Sequence, residues 1–302
     1  MAPLNGILNL NKPADWTSHD VVARVRRLLG TRQVGHAGTL DPLATGVLLV
    51  CVGQATRVVE YLQAGRKVYR AMIRLGCVTD TRDVCGKVLD ATPVPAWERR
   101  DLEPVLTRFT GLLHQVPPAY SAIKQGGVPA YRRARRGEEV VMAPRPVTVY
   151  GISLLAWKRP DLTVEISCSA GTYVRSLAHD LGQELGCGAV LAALTRTRSG
   201  NFALEQSTGL EELAEDAAKH VAERHFHPLR AALTDLLEVP VDAEEEARLR
   251  HGLSIASPTA PDSPGYALGP QGDVVAILAP GAEPPGWRPV KVFSGTDAPP
   301  AD

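Results

Sequence analysis

The sequence predicts an α+β fold that closes with a small β-rich module, and three observations predict it. Apolar residues follow strand patterns, alternating through Lys67–Gly76 and running unbroken through Val47–Val52. They recur at helical spacing in Val21, Val22, Val25, Leu28 and Leu29, and again in Leu177, Leu181 and Leu185. From about Glu205 the character changes: a Glu- and Ala-rich helix gives way to short apolar runs parted by Pro and Gly, which suits a compact β-barrel.

In chain order, Gly6–Leu10 reads as a strand ended by Asn11-Lys12-Pro13, and Thr17-Ser18 cap a helix that Gly30 stops. That helix carries Arg24, Arg26 and Arg27 on its other face, either a solvated surface or phosphate contacts. The loop Gly35–Gly46, punctuated by glycines and Pro42, feeds the strand Val47–Val52, and Gln54–Gln63 reads as a helix. Tyr69, Ala71, Ile73 and Leu75 share one face of the next strand, opposite Arg70 and Arg74. Thr79–Asp83 is a polar turn before a strand near Lys87–Leu89, and Arg99–Thr110 is a helix closing at Gly111. Gln115–Gly137 interleaves aromatic and basic residues, which suits a single nucleic-acid strand. Val147–Trp157 and Leu162–Cys168 pair through a turn at Lys158–Asp161, and Ser169 or Thr172 caps the helix that runs to Gly186. Ala192–Gly200 alternates as a strand with Arg196 and Arg198 on one face. Glu211–Arg224 is a helix, Glu244–Gly252 another, Val274–Leu278 a strand, and the Pro-rich tail after Phe293 is expected to be disordered.

The 302 residues suffice for two domains, and 44% hydrophobic content is that of a globular chain. No leader pattern opens the sequence and no run approaches the roughly 18 apolar residues of a membrane span, so a cytoplasmic protein is expected. Cys51, Cys77, Cys85, Cys168 and Cys187 are scattered, which indicates small core residues rather than disulfides or a zinc site. His225 and His227 are the closest histidine pair and are not expected to hold a metal; no metal site is predicted. The zero net charge hides a division: residues 1–200 hold 26 Lys+Arg against 16 Asp+Glu, residues 201–302 hold 7 against 17. A polyanionic partner for the basic part fits that asymmetry.

Asp41 is the only acidic residue between Asp20 and Glu60, and Leu40, Pro42 and Leu43 surround it with apolar neighbours. By itself an Asp before Pro reads equally as a turn residue or a helix cap. The stretch Gly35-His36-Ala37-Gly38-Thr39-Leu40-Asp41-Pro42-Leu43-Ala44-Thr45-Gly46-Val47-Leu48 resembles the catalytic motif of the TruB family of tRNA pseudouridine synthases. The strand bearing Tyr69 resembles the family's second motif, Pro117-Pro118-Ala119-Tyr120-Ser121-Ala122-Ile123-Lys124 a further signature, and Gly171-Thr172-Tyr173-Val174-Arg175-Ser176-Leu177 the third motif. Together these cover about residues 5–205.

The resemblance implies a mixed, mainly antiparallel sheet with flanking helices, the pseudouridine synthase fold, over residues 1–235, with an RNA-gripping insertion at about 115–145. Residues 236–302 would be a PUA-like RNA-binding module. It implies isomerisation of uridine 55 in the T-arm of tRNA by a monomeric enzyme without cofactor, metal or membrane contact. Asp41 would attack a flipped uridine at C1′ or C6, Arg175 would pair with it, and Tyr69 would take the C5 proton. His36 would fill the space the base vacates, Tyr69 and Leu194 would sandwich the ring, and Tyr173 would line the pocket. Lys12, Asp83, Arg57 and Lys124 complete the substrate-contacting set. From the residues alone, Tyr69 and Leu194 read equally as core, His36 as a loop hydrogen-bonder and Arg175 as a first-turn arginine. A non-catalytic RNA-binding protein and a carboxylate-pair glycoside hydrolase, with Asp83 as second acid, are the competing functions.

Overall fold

Gly6–Lys12 forms strand β1, covered on both faces from Gly6 to Leu10, and the one polar side chain in that stretch, Asn9, donates Nδ2 to the Ala203 carbonyl at 2.9 Å. The computed structural model describes residues 4–257, 261–281 and 285–293; the tail after Phe293, expected to be disordered, lies outside them. Helix α1, Ser18–Leu29, starts with a reciprocal capping box between Thr17 and Asp20 and ends at Gly30 in the left-handed conformation. Of its arginines, Arg26 turns back to donate to the Val34 carbonyl at 2.8 Å. Strands β2, Val34–His36, and β3, Thr45–Val52, form an antiparallel pair bracketing the glycine loop. No helix begins at Pro42, which removes the helix-cap reading of Asp41.

A 3₁₀ segment, Gly53–Val58, leads into α2, Val59–Ala64, and β4, Lys67–Leu75, alternates buried and exposed residues as its pattern requires. Strands β5, Cys77–Thr79, and β6, Val88–Ala91, make a small hairpin, followed by α3, Arg99–Arg108, and β7, Gly111–Gln115. The insertion holds β8, Lys124–Gln125, and β9, Val128–Pro129, joined through Gly126-Gly127, both at positive φ as a tight hairpin demands, and then α4, Ala130–Ala134. Next come β10, Arg145–Lys158, β11, Asp161–Cys168, α5, Val174–Glu184, and β12, Ala189–Ser199. The chain continues through β13, Phe202–Ala203, α6, Leu210–Ala218, β14, Phe226–His227, β15, Leu237–Pro240, and α7, Ala243–Arg250. It ends in β16, Ile255–Ala256, β17, Gly265–Leu268, β18, Val274–Gly281, and β19, Gly286–Val292.

Three local expectations differ from what the chain does. Helix α6 stops at Ala218, short of Arg224, because the backbone turns left-handed at His220; the reversal lets Arg224 and His225 both reach the Asp216 carboxylate. Arg196 and Arg198 do not share a face: a bulge between them leaves Arg196 buried and Arg198 exposed. Cys85 is exposed and Cys77 half-buried, while Cys51, Cys168 and Cys187 are core residues.

By compactness the chain divides into a first unit of Met1–Pro42, Val47–Gln63 and Asn201–Asp302, and a second of Leu43–Gly46 and Ala64–Gly200. In the first, the strand order is β14-β1-β3, with β2 on β3. Ile7, Val47, Leu49, Leu62, Phe202 and Leu229 pack in one cluster with Tyr266 and Ile277 from the C-terminal strands and with Phe293, the residue after the last of them. Those strands form a five-stranded sheet, β15-β17-β18-β19-β16, which register shifts at Ala267/Leu268 and Ile277/Leu278 bend. It has a second small core of its own around Leu249, Val275, Leu278 and Trp287. Glu212, Asp216 and His225 bring possible ligand atoms within 4.8 Å of one another, but the Arg224 guanidinium already balances Asp216.

In the second unit the order is β12-β4-β11-β10-β7, antiparallel throughout, with the first residues of β3 added in parallel as Thr45 beside Thr195 and Gly46 beside Arg196. The sheet is therefore mixed and mainly antiparallel, with α3 and α5 as its helices. Gly46 sits at φ 95, and a Cβ there would lie 2.3 Å from the Arg196 carbonyl oxygen. Gly46→Ala should destabilise the fold by about 3 kcal/mol or more, read as a lowered urea midpoint; an unchanged midpoint would contradict the close approach.

Candidate active site

In the first unit, Asp41 is half-buried on a loop whose backbone is fastened on both sides of it. Leu40 donates its N–H to Ser18 Oγ at 2.9 Å and accepts from the same hydroxyl at 3.2 Å. The Pro42 carbonyl accepts from Lys12 Nζ at 3.1 Å and from the Asp15 N–H at 2.9 Å. Lys12 is fully buried, with Nζ also on the carbonyls of Trp16 and Pro13, so its visible work is to hold the loop. His36 ends β2 in register with Val50, its ring edge-on to His19 at 6.4 Å. Arg57 lies beneath the C-terminal sheet, its guanidinium on the Val292 carbonyl and 5.1 Å from the centre of the Phe293 ring.

In the second unit, Tyr69 and Leu194 are buried on adjacent strands. Leu194 pairs with Ala71 and Arg196 with Tyr69, so Tyr69 and Leu194 are diagonal neighbours on one sheet face. Arg175, in the first turn of α5, is 4% exposed. Its Nη1 donates to the Thr81 carbonyl at 3.1 Å and lies 3.6 Å from Asp83 Oδ2; its Nη2 donates to the Tyr120 carbonyl at 2.8 Å. A buried guanidinium at a helix start thus has a carboxylate and two carbonyls around it. Asp83 in turn accepts from Thr81 Oγ1 at 2.6 Å and from the Cys85 N–H at 3.0 Å. Buried and so engaged, Asp83 is no free general acid, which counts against the hydrolase alternative. Neither Ser169 nor Thr172 caps α5: Tyr173 is the N-cap residue, and its N–H is received by Gln115 Oε1 at 2.7 Å. Lys124 is exposed on β8.

Lys67, two residues before Tyr69, was not singled out by the sequence pattern. Burial, with a smaller push from the nearby Arg196 charge, lowers its ammonium to about 8. An unfolded lysine holds its proton to about 10.4, so between these values the unfolded chain binds the extra proton and stability should rise with pH. The urea midpoint of the native chain is expected to climb from pH 8 to 10 relative to that of Lys67→Met; parallel profiles would contradict the shift.

The family model for the N-terminal domain of TruB family pseudouridylate synthase matches residues 26–174, and that for the C-terminal domain of tRNA pseudouridylate synthase B matches residues 175–243. The protein named tRNA pseudouridine synthase B of Thermobifida fusca is 44% identical over 301 residues, covering 97% of this chain and 99% of the relative. The chain belongs to the TruB family. A second TruB relative, from Symbiobacterium thermophilum, is 48% identical over 84% of each chain. Among solved structures, an H/ACA ribonucleoprotein bound to a substrate RNA containing 2′-deoxyuridine matches 96% of this TruB-family chain and 85% of its own, with TM-score 0.72 and 26% identity. A Cbf5-Nop10-Gar1 complex matches with TM-score 0.73 and 28% identity over the same shares. No helix among the described residues of this TruB-family chain is long and apolar enough to cross a membrane.

Proposed function

We propose that this chain converts uridine 55 in the T-arm of tRNA to pseudouridine, with Asp41 as the attacking carboxylate. The observation that carries the reading is the fastening of Leu40 and Pro42, on either side of Asp41, by Ser18 and the buried Lys12. A loop held this way presents its carboxylate without reorganisation, which is the condition for attack on a positioned base. The family relationship supports the substrate: the curated relatives are named tRNA pseudouridine synthase B.

In this reading the target nucleotide is flipped out of its stack, at a cost of roughly a few kcal/mol, and His36 fills the space it leaves. Tyr69 and Leu194 form an aromatic and an aliphatic wall for the ring, and Tyr173 lines the nucleotide pocket. Asp41 attacks at C1′ or C6, the N1–C1′ bond breaks, the uracil turns, C5 joins C1′, the bond to Asp41 breaks to return the free carboxylate, and N1 takes up a proton. Tyr69 then removes the C5 proton. Arg175 is the cation that keeps the attacking carboxylate charged. Lys124, Arg132 and Arg136, exposed on the insertion, meet RNA phosphates. Every atom of the uracil is kept apart from the exchanged C5 hydrogen, so the chemistry calls for no redox partner. The enzyme acts as a cytoplasmic monomer.

The test is release of tritium from a T-arm stem-loop labelled at uracil C5. Time-dependent release is expected with the native chain. Tight binding of the stem-loop without release would sink the enzymatic reading in favour of a non-catalytic RNA-binding protein.

A further inference from the structure

Three attachments fasten Gln115–Tyr120, the segment that leaves β7 and opens the insertion, to the start of α5. The buried Gln115 side chain accepts the Tyr173 N–H and donates Nε2 to the Tyr173 carbonyl at 3.0 Å. Arg175 donates to the Tyr120 carbonyl. Between these, the Val116 carbonyl accepts from Arg82 Nη1 at 3.0 Å and from Ser176 Oγ at 2.7 Å, and Arg82 Nη1 also donates to the Ser176 hydroxyl at 2.8 Å. Ser176 is fully buried.

Arg82 has an unusual backbone for its type. Its φ is 62, in the region that favours glycine, and it is held there by a bond from its N–H to the Thr79 carbonyl and one to its own carbonyl from the Leu191 N–H. Its neighbours on both sides serve Arg175: Thr81 with its carbonyl, Asp83 with its carboxylate. A conformation of this kind persists only where the surroundings over-determine it, and such places cluster at functional sites.

We infer that Arg82 is a positioning residue for the reaction: by locking Val116 to Ser176 it fixes both the helix turn that carries Arg175 and the Tyr120 carbonyl that Arg175 reaches. Arg82 touches no reacting atom in this scheme and works through Arg175. The Asp180 carboxylate, one helical turn beyond Ser176, helps to balance the Arg82 charge; burial raises its pKa and Arg82 pulls it back. The inference rests on the proposed isomerase reading.

Arg82→Gly tests it, since glycine adopts φ 62 without strain and so deletes the guanidinium while keeping the turn. On the tritiated stem-loop, kcat is expected to fall roughly tenfold to a hundredfold with KM held within about threefold, and added guanidinium ion should restore part of the loss. A kcat within about twofold of native, or kcat and KM moving together with no guanidinium recovery, would overturn it. Should Arg82→Gly fail to fold, Ser176→Ala removes the shared hydroxyl: a several-fold loss of kcat at constant KM supports the inference and an unchanged kcat overturns it. The native chain run alongside reports on the isomerase reading itself, so the two can fail separately.

Discussion

Asp41→Asn is expected to lower tritium release at least roughly a thousandfold, because the amide has neither the charge nor the lone-pair basicity of an attacking carboxylate. Affinity for the stem-loop should stay within about threefold, since the change alters one atom of the pocket and none of the phosphate contacts. The loop should keep its shape, since Ser18 and Lys12 grip the backbone of Leu40 and Pro42 on either side of the substitution. Filter binding and tritium release on the same preparation separate the two effects. Appreciable turnover by Asp41→Asn would mean that another group attacks the nucleotide.

Arg175→Lys should come next in severity, with kcat lowered roughly a hundredfold. The native guanidinium sends one nitrogen to Thr81 and the other to Tyr120 while standing beside Asp83. An ammonium is a point charge and cannot span that fork, so its position, and the field it creates, would be lost. Arg175→Leu should do more: it leaves the buried Asp83 carboxylate without its cation and should destabilise the fold by about 3 kcal/mol or more. A urea midpoint for Arg175→Leu equal to native would show that Asp83 does not depend on this arginine.

Much of this molecule is written in local signals. Thr17, Asp20 and Gly30 mark α1 at both ends because capping is a matter of neighbouring residues, and the alternation of β4 follows from one buried face. The glycine loop carrying Asp41 stood out through its punctuation and its single acid. What escaped was long-range. The N–H of Tyr173, the N-cap residue of α5, is received by Gln115, 58 residues away, and no pattern near Tyr173 announces it. Arg82 looked like one residue of a polar turn, and only its left-handed backbone and its bonds to Val116 and Ser176 give it a part. The bulge that separates Arg196 from Arg198 is set by pairing with β4, which strict alternation within one strand does not contain. Lys12 could be placed near the loop by resemblance, whereas its burial on three carbonyls is a property of the folded chain alone.

The division of the chain bears on the order in which it can be made. Residues 64–200 form one uninterrupted block, so nearly all of the second unit emerges from a ribosome before its partners are needed. The first unit has to wait: β1 gains β14 only with Phe226–His227, and its hydrophobic cluster is closed by Phe293. Vectorial synthesis therefore leaves the β14 edge of the amino-terminal strand open while the middle gathers itself. A nascent chain stalled after Gly200 has cleared the exit tunnel but before Phe226 has done so should resist protease through 64–200 and be cut within its first sixty residues.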